Sequence, residues 1–167
     1  MRLRRIAMLL AAAAALSFLF GASGHRGAWP VDWFLIALAA VAREGNFVKA
    51  VLTGAGAGLL EDALTQPMLG FNAFAKSAIG YGLALVAVRV IVGGSVAVGA
   101  ALALASLAND AIVAVLASLL MQAPIVLGSR ESLWRAATTG VTAAAFEAAV
   151  KFPWREWWVK RRLRRLR

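Results

Sequence analysis

Apolar residues run along this chain in six stretches, separated by short polar or glycine-rich breaks. A helix that crosses a bilayer needs roughly 20 mostly apolar residues, with a range of about 17–25. The first stretch covers residues 6–22 and follows a basic start, Met1-Arg-Leu-Arg-Arg5. The second, 30–42, is short, with Pro30 in a first helical turn, where its missing N–H costs nothing. A polar break, Arg43-Glu-Gly-Asn46, separates it from the third, 47–65. Gln66-Pro-Met-Leu-Gly70 reads as a turn, and the fourth stretch follows at 71–92. After Gly93-Gly-Ser95 come the fifth, 96–121, and, beyond residues 123–131, the sixth, 132–150. The expected fold class is all-α: a polytopic integral membrane protein, a bundle of about six transmembrane helices.

Composition agrees with that pattern. Of 167 residues, 62% are hydrophobic and 16% charged, against about 45–50% and about 25% in soluble domains. The net charge of +10 would by itself suggest a nucleic-acid partner. Its distribution argues for a different role, because residues 151–167 hold eight basic residues and one acid, Glu156. The remainder is nearly neutral. Two parts are expected, a transmembrane domain over 1–150 and a Trp/Lys/Arg-rich interfacial tail over 151–167. The first stretch also looks like a secretory signal. No clean A-x-A site follows it, so a retained helix is expected.

Basic residues near helix ends mark the cytoplasmic side. With both termini cytoplasmic, Arg2, Arg4, Arg5, Arg43, Lys49, Arg89 and the eight in the tail fall inside, leaving Arg26, Lys76, Arg130 and Arg135 towards the outside. Five helices would strand one basic terminus on the wrong side, so six is the better number.

The third stretch carries Gly54-Ala-Gly-Ala-Gly58-Leu-Leu-Glu-Asp62. Gly54, Gly58 and Asp62 share one helical face, and small residues so spaced let another helix approach closely. No Gly-Lys-Ser/Thr follows, so the run is not a phosphate loop. An acid inside a membrane helix normally has a partner. Asp62 and Lys76 reach similar depth on neighbouring antiparallel helices, which leaves two readings. Either they pair, or Lys76 snorkels to the surface and Asp62 caps a turn. Asp110 beside Asn109 is expected to be the deepest acid. As a functional group it would carry a proton or cation; the favoured reading is a hydrogen-bonded staple between helices. Thr138 and Thr142 offer hydroxyls on the sixth stretch, where Glu147 can pair locally with Lys151.

Catalytic chemistry finds no support. His25 is the one histidine, there is no cysteine, and no G-x-S-x-G motif occurs. No catalytic residue, metal site or cofactor is expected. In the tail, Trp154, Trp157 and Trp158 suit the headgroup layer, while Lys160, Arg161, Arg162 and their neighbours face an anionic leaflet. The aromatics are bunched at the membrane end instead of being interleaved with the charges, so membrane lipid is favoured over nucleic acid.

The pattern resembles the MreD family of bacterial rod-shape-determining membrane proteins. The residues that carry the resemblance are Pro30-Val-Asp32, Arg43, the Gly54-x-x-x-Gly58-x-x-x-Asp62 face, Pro67-Met-Leu-Gly70, Ala73, Gly80-Tyr81 and Ser106-Leu-Ala-Asn-Asp110. They lie within about residues 30–115. The resemblance implies a non-enzymatic scaffold of the cell-elongation complex in the bacterial inner membrane. Its direct partner would be MreC, with RodA, a class B penicillin-binding protein and MreB in the wider complex. The family is also similar in layout to the S-components of ECF vitamin transporters. The competing expectation is therefore a small-molecule binding and transport subunit, which would need a polar, substrate-sized pocket.

Overall fold

A computed structural model describes residues 3–21, 31–65, 69–89, 94–122 and 128–151. Six helices and no strand occur among these residues: α1 (Leu3–Gly21), α2 (Trp33–Ala42), α3 (Phe47–Thr65), α4 (Phe71–Arg89), α5 (Ser95–Met121) and α6 (Arg130–Lys151). One helix corresponds to each expected segment, with ends that agree within three residues. Helix α2 starts later than the expected position 30, because Asp32 occupies its N-cap and accepts the Leu35 N–H at 2.8 Å. A side-chain oxygen there satisfies one of the N–H groups that a helix start leaves open. Pro30 lies outside the described residues.

Local chemistry sets the other boundaries. Gly45, at φ +66°, turns the chain between α2 and α3, and Asn46 accepts the Lys49 N–H at 3.0 Å to open α3. Gln122, at φ 53°, ends α5 in the left-handed region. Ser129 accepts the Ser132 N–H at 3.1 Å in the first turn of α6.

Helix α2 is the hub, touching all five others. Around it, α3 packs on α4 and α5 packs on α6 most extensively, while α1 leans on α2 and α3. Among the described residues α1 and α6 do not touch, so the ring round α2 is open along one side. The α3–α4 seam is close because it is built on glycine. A Cβ at Gly54 would overlap the Lys76 carbonyl, and one at Gly58 would overlap the backbone at Asn72 and Ala73. From the other side, a Cβ at Gly80 would come within 2.6 Å of the Ala50 carbonyl oxygen. Gly99 and Gly140 repeat the device between α5 and α6, where a Cβ at Gly99 would lie 2.7 Å from the Gly140 oxygen. The main apolar cluster joins Leu35, Leu38 and Ala39 of α2 to Ile79, Val98, Leu102, Ala105 and Ala143.

The surface carries many large apolar side chains, and the largely apolar interior encloses polar and charged ones. Leu19, Leu52, Phe74, Leu104, Leu119, Val141 and Phe146 are exposed, whereas Asp62, Lys76, Ser106, Asn109 and Thr139 are fully buried. Two helices, α4 and α5, are long and apolar enough to cross a membrane, with mean hydropathies of 1.4 and 1.9. Helix α2 is apolar but only 10 residues long.

Candidate functional site

Four buried charged residues, Asp32, Glu61, Asp62 and Lys76, gather where the start of α2 meets the last turns of α3 and the first turns of α4. Lys76, on α4, is fully buried. Its Nζ lies 2.6 Å from Asp32 Oδ2 and 2.8 Å from Glu61 Oε2. Asp32 reaches this point because it caps α2, so one carboxylate oxygen holds the helix start and the other takes the ammonium. The Asp32 N–H in turn donates to Thr139 Oγ1 of α6 at 2.9 Å. One lysine thus ties α2, α3 and α4 together, with α6 attached through Thr139.

Asp62, the next residue after Glu61, points elsewhere. Adjacent positions on a helix differ by about 100° in direction, so neighbouring acids cannot share one partner face. The Asp62 carboxylate caps α4 from the preceding helix. It accepts the N–H groups of Gly70 (2.8 Å), Asn72 (3.2 Å) and Ala73 (3.4 Å), together with Asn72 Nδ2 at 2.8 Å. A negative charge at a helix N-terminus meets the positive end of its dipole. Asn109 Nδ2 of α5 then donates to Asn72 Oδ1 at 3.3 Å. This second branch joins α3, α4 and α5. A pair between Asp62 and Lys76, one of the two sequence readings, is therefore corrected. Asp62 does cap a turn, but Lys76 points inward to Asp32 and Glu61 and does not snorkel.

Gly70, at φ +114°, brings its N–H to Asp62 in the turn before α4. Gly54 and Gly58 face α4, so that face is filled by the protein's own helix. Asp110 is not the deepest acid: its side chain is 17% exposed, while Asp62 and Asp32 are buried. It pairs with Arg135 and accepts Ser132 Oγ–H at 2.6 Å, stapling α5 to α6. Asn109 faces inward instead, to Asn72. Thr138 donates back to the Trp134 and Arg135 carbonyls, so Thr139 is the hydroxyl of α6 that joins the core. At the opposite end, Glu147 pairs with Lys151 at 3.0 Å, as the spacing suggests, and also with Arg43 at 2.5 Å. Trp154, Trp157, Trp158, Lys160, Arg161 and Arg162 lie outside the described residues.

Sequence reasoning missed Asp32, Glu61 and Thr139. Two signals pointed to the first two. An Asp directly before an apolar helix is an N-cap signal, and consecutive acids demand two partners where only Lys76 was counted. Thr139 carried no such signal.

The arrangement links five helices, α2 to α6, through buried hydrogen bonds and ion pairs. Among the described residues no group of three or more His, Cys, Asp or Glu is placed to hold a metal ion. A buried charge is retained only when paired and hydrogen-bonded, and these pairs knit α2 to α6. No family model, curated protein or solved structure matches the chain.

Proposed function

We propose that the chain is a multi-pass protein of the bacterial inner membrane, a non-enzymatic scaffold of the MreD type that supports cell elongation by binding MreC. The observation that carries the membrane part is the apolar surface: exposed Leu, Val and Phe around a core containing Lys76, Asp62 and Asn109. In hydrocarbon, ionisable residues turn into the bundle and pair. Helix α3 is as long as α4, with 19 residues each, and its acids Glu61 and Asp62 are buried inside the protein. The charges of α1 and α6 sit mostly at their ends, Arg4 and Arg5 at the start of α1 and Arg130, Glu131 and Lys151 at the ends of α6. Six crossings then place the 43–46 turn, and both termini, on the cytoplasmic side.

The cell-elongation part rests on the resemblance, whose strongest stretch forms one mechanical unit. Gly54 and Gly58 seat α4, Asp62 caps it, and Gly70 makes the turn between. Such a unit makes a stiff body on which partners assemble. A lateral cavity of about 240 Å³ is lined by apolar side chains except at Arg43, Thr142 and Glu147. That lining suits an apolar occupant at this place.

The test is co-purification in mild detergent from a rod-shaped host. A stable complex with the host's single-span periplasmic MreC, and rounding of cells on depletion, are expected. Saturable binding of a vitamin-like molecule by the isolated protein, with cell shape unchanged on depletion, would overturn the proposal.

A further inference from the structure

The open side of the bundle has a definite shape. Because α1 and α6 do not touch, one face of α2 (Trp33, Ile36, Ala37, Ala40, Arg43) forms the floor of the lateral cavity. Leu9, Ala12 and Leu16 form one wall, and Ala143 and Phe146 the other. This cavity, about 240 Å³, exceeds the roughly 150 Å³ of an apolar cavity that takes up benzene. Its ends differ. Trp33 and Leu16 close one end with apolar atoms, while Arg43 and Glu147 stand at the other.

The charged end is a cationic rim. Arg43 and Lys151, with side chains 47% and 49% exposed, share the carboxylate of Glu147, which is 9% exposed. With Glu44, next to Arg43, paired to Lys49 at 3.5 Å, three cations and two acids stand at this end, a formal positive charge. Arg5, also exposed, stands one turn before Leu9 on α1. The length of the floor is equally telling. Ten helical residues rise about 15 Å, half the roughly 30 Å of the hydrocarbon core. The groove along α2 therefore extends about 15 Å inward from Arg43, a length close to the depth of a single leaflet. A transmembrane helix of a partner needs a seat of twice that length; one acyl chain does not.

We propose that this groove is a binding site for an anionic phospholipid of the cytoplasmic leaflet. One acyl chain lies along α2 between α1 and α6, and the phosphate sits at Arg43 and Lys151. Basic pockets between membrane helices on the cytoplasmic side suit such headgroups. The inference uses the membrane-spanning part of the proposed function and is independent of its cell-elongation part.

Native mass spectrometry of the full chain, extracted in detergent and titrated with phosphatidylglycerol or phosphatidylcholine, tests it. Wild type is expected to retain one phosphatidylglycerol per chain, with a clear preference over phosphatidylcholine. Arg43→Gln should weaken that preference roughly fivefold and Glu147→Gln should strengthen it by a similar factor, the effect of one charge near the headgroup. Ala12 is exposed, so Ala12→Trp should fill the groove without disturbing the core and abolish retention of either lipid. Equal binding of the two lipids, or insensitivity to Ala12→Trp, overturns the site. So does a dimer that Ala12→Trp converts to monomer, since a second copy would then occupy the groove. A chain that needs no detergent to leave the membrane fraction overturns the membrane reading as well. Detergent-dependent extraction without lipid preference overturns the lipid site alone.

Discussion

Replacing Lys76 by Met keeps most of the side-chain volume and removes the charge. Nothing else in the described structure supplies a cation within contact of both Asp32 and Glu61, which lie 2.6 and 2.8 Å from Nζ. Both carboxylates would stay buried, at side-chain exposures of 2% and 7%. Removing one partner of a buried pair costs about 3–5 kcal/mol, because the charge left behind has lost its compensation. For a chain of this size each kcal/mol moves the melting temperature by about 2–4 °C, so Lys76→Met should lower it by roughly 6–20 °C. The assay is thermal unfolding in detergent, followed by tryptophan fluorescence. Adding Asp32→Asn and Glu61→Gln should recover more than half of the loss. Asn can still cap α2, and a neutral cluster of similar shape carries no stranded charge. A double-mutant cycle should give a coupling above about 1 kcal/mol between positions 76 and 32, and below about 0.5 kcal/mol between 76 and 62. A Lys76→Met protein melting within about 2 °C of wild type, or a larger coupling to Asp62 than to Asp32, would refute the reasoning.

Asp62→Ala removes the acceptor of three backbone N–H groups at the start of α4 and should cost about 1–3 kcal/mol in the same melt. Gly58→Ala drives a Cβ into the α4 backbone and should cost at least about 1–3 kcal/mol, whereas Gly82→Ala, with open space around it, should be neutral or slightly stabilising. Arg43→Gln should change stability by less than about 1 kcal/mol, because the pair it breaks is half-exposed and Glu147 keeps Lys151. A larger loss would show that the α2–α6 contact carries more of the fold than its exposure indicates.

The helices were legible in the sequence because length and hydropathy are local properties. The breaks at Arg43 to Asn46 and at Gly70 carry their own turn chemistry, Gly45 and Gly70 both having positive φ. The partners of buried charges were much less legible. Pairing Asp62 with Lys76 followed from similar depth on adjacent helices, and depth says nothing about rotation. A rotation of one residue separates Glu61, which faces Lys76, from Asp62, which faces the start of α4. The third participant, Asp32, comes from α2, 44 residues earlier in the chain than Lys76. No periodicity encodes such a contact. Likewise the glycine seam of α3 was visible as a regular spacing, and Gly99 and Gly140 sit in similar spacings of small residues (95, 99, 103 and 136, 140, 144), but spacing within a helix does not say which two helices meet.

Every functional statement above rests on six helices crossing a membrane with the 43–46 turn on the cytoplasmic side. The chain has no cysteine, so single cysteines report position without background. Intact cells carrying Glu44→Cys, Leu69→Cys or Ser129→Cys, treated with a membrane-impermeant maleimide, test that arrangement most directly. Labelling at 69 and 129 in intact cells, with 44 labelled only after the membrane is opened, is the expected result. Labelling of 44 from outside, or of all three positions on the same side, would contradict it.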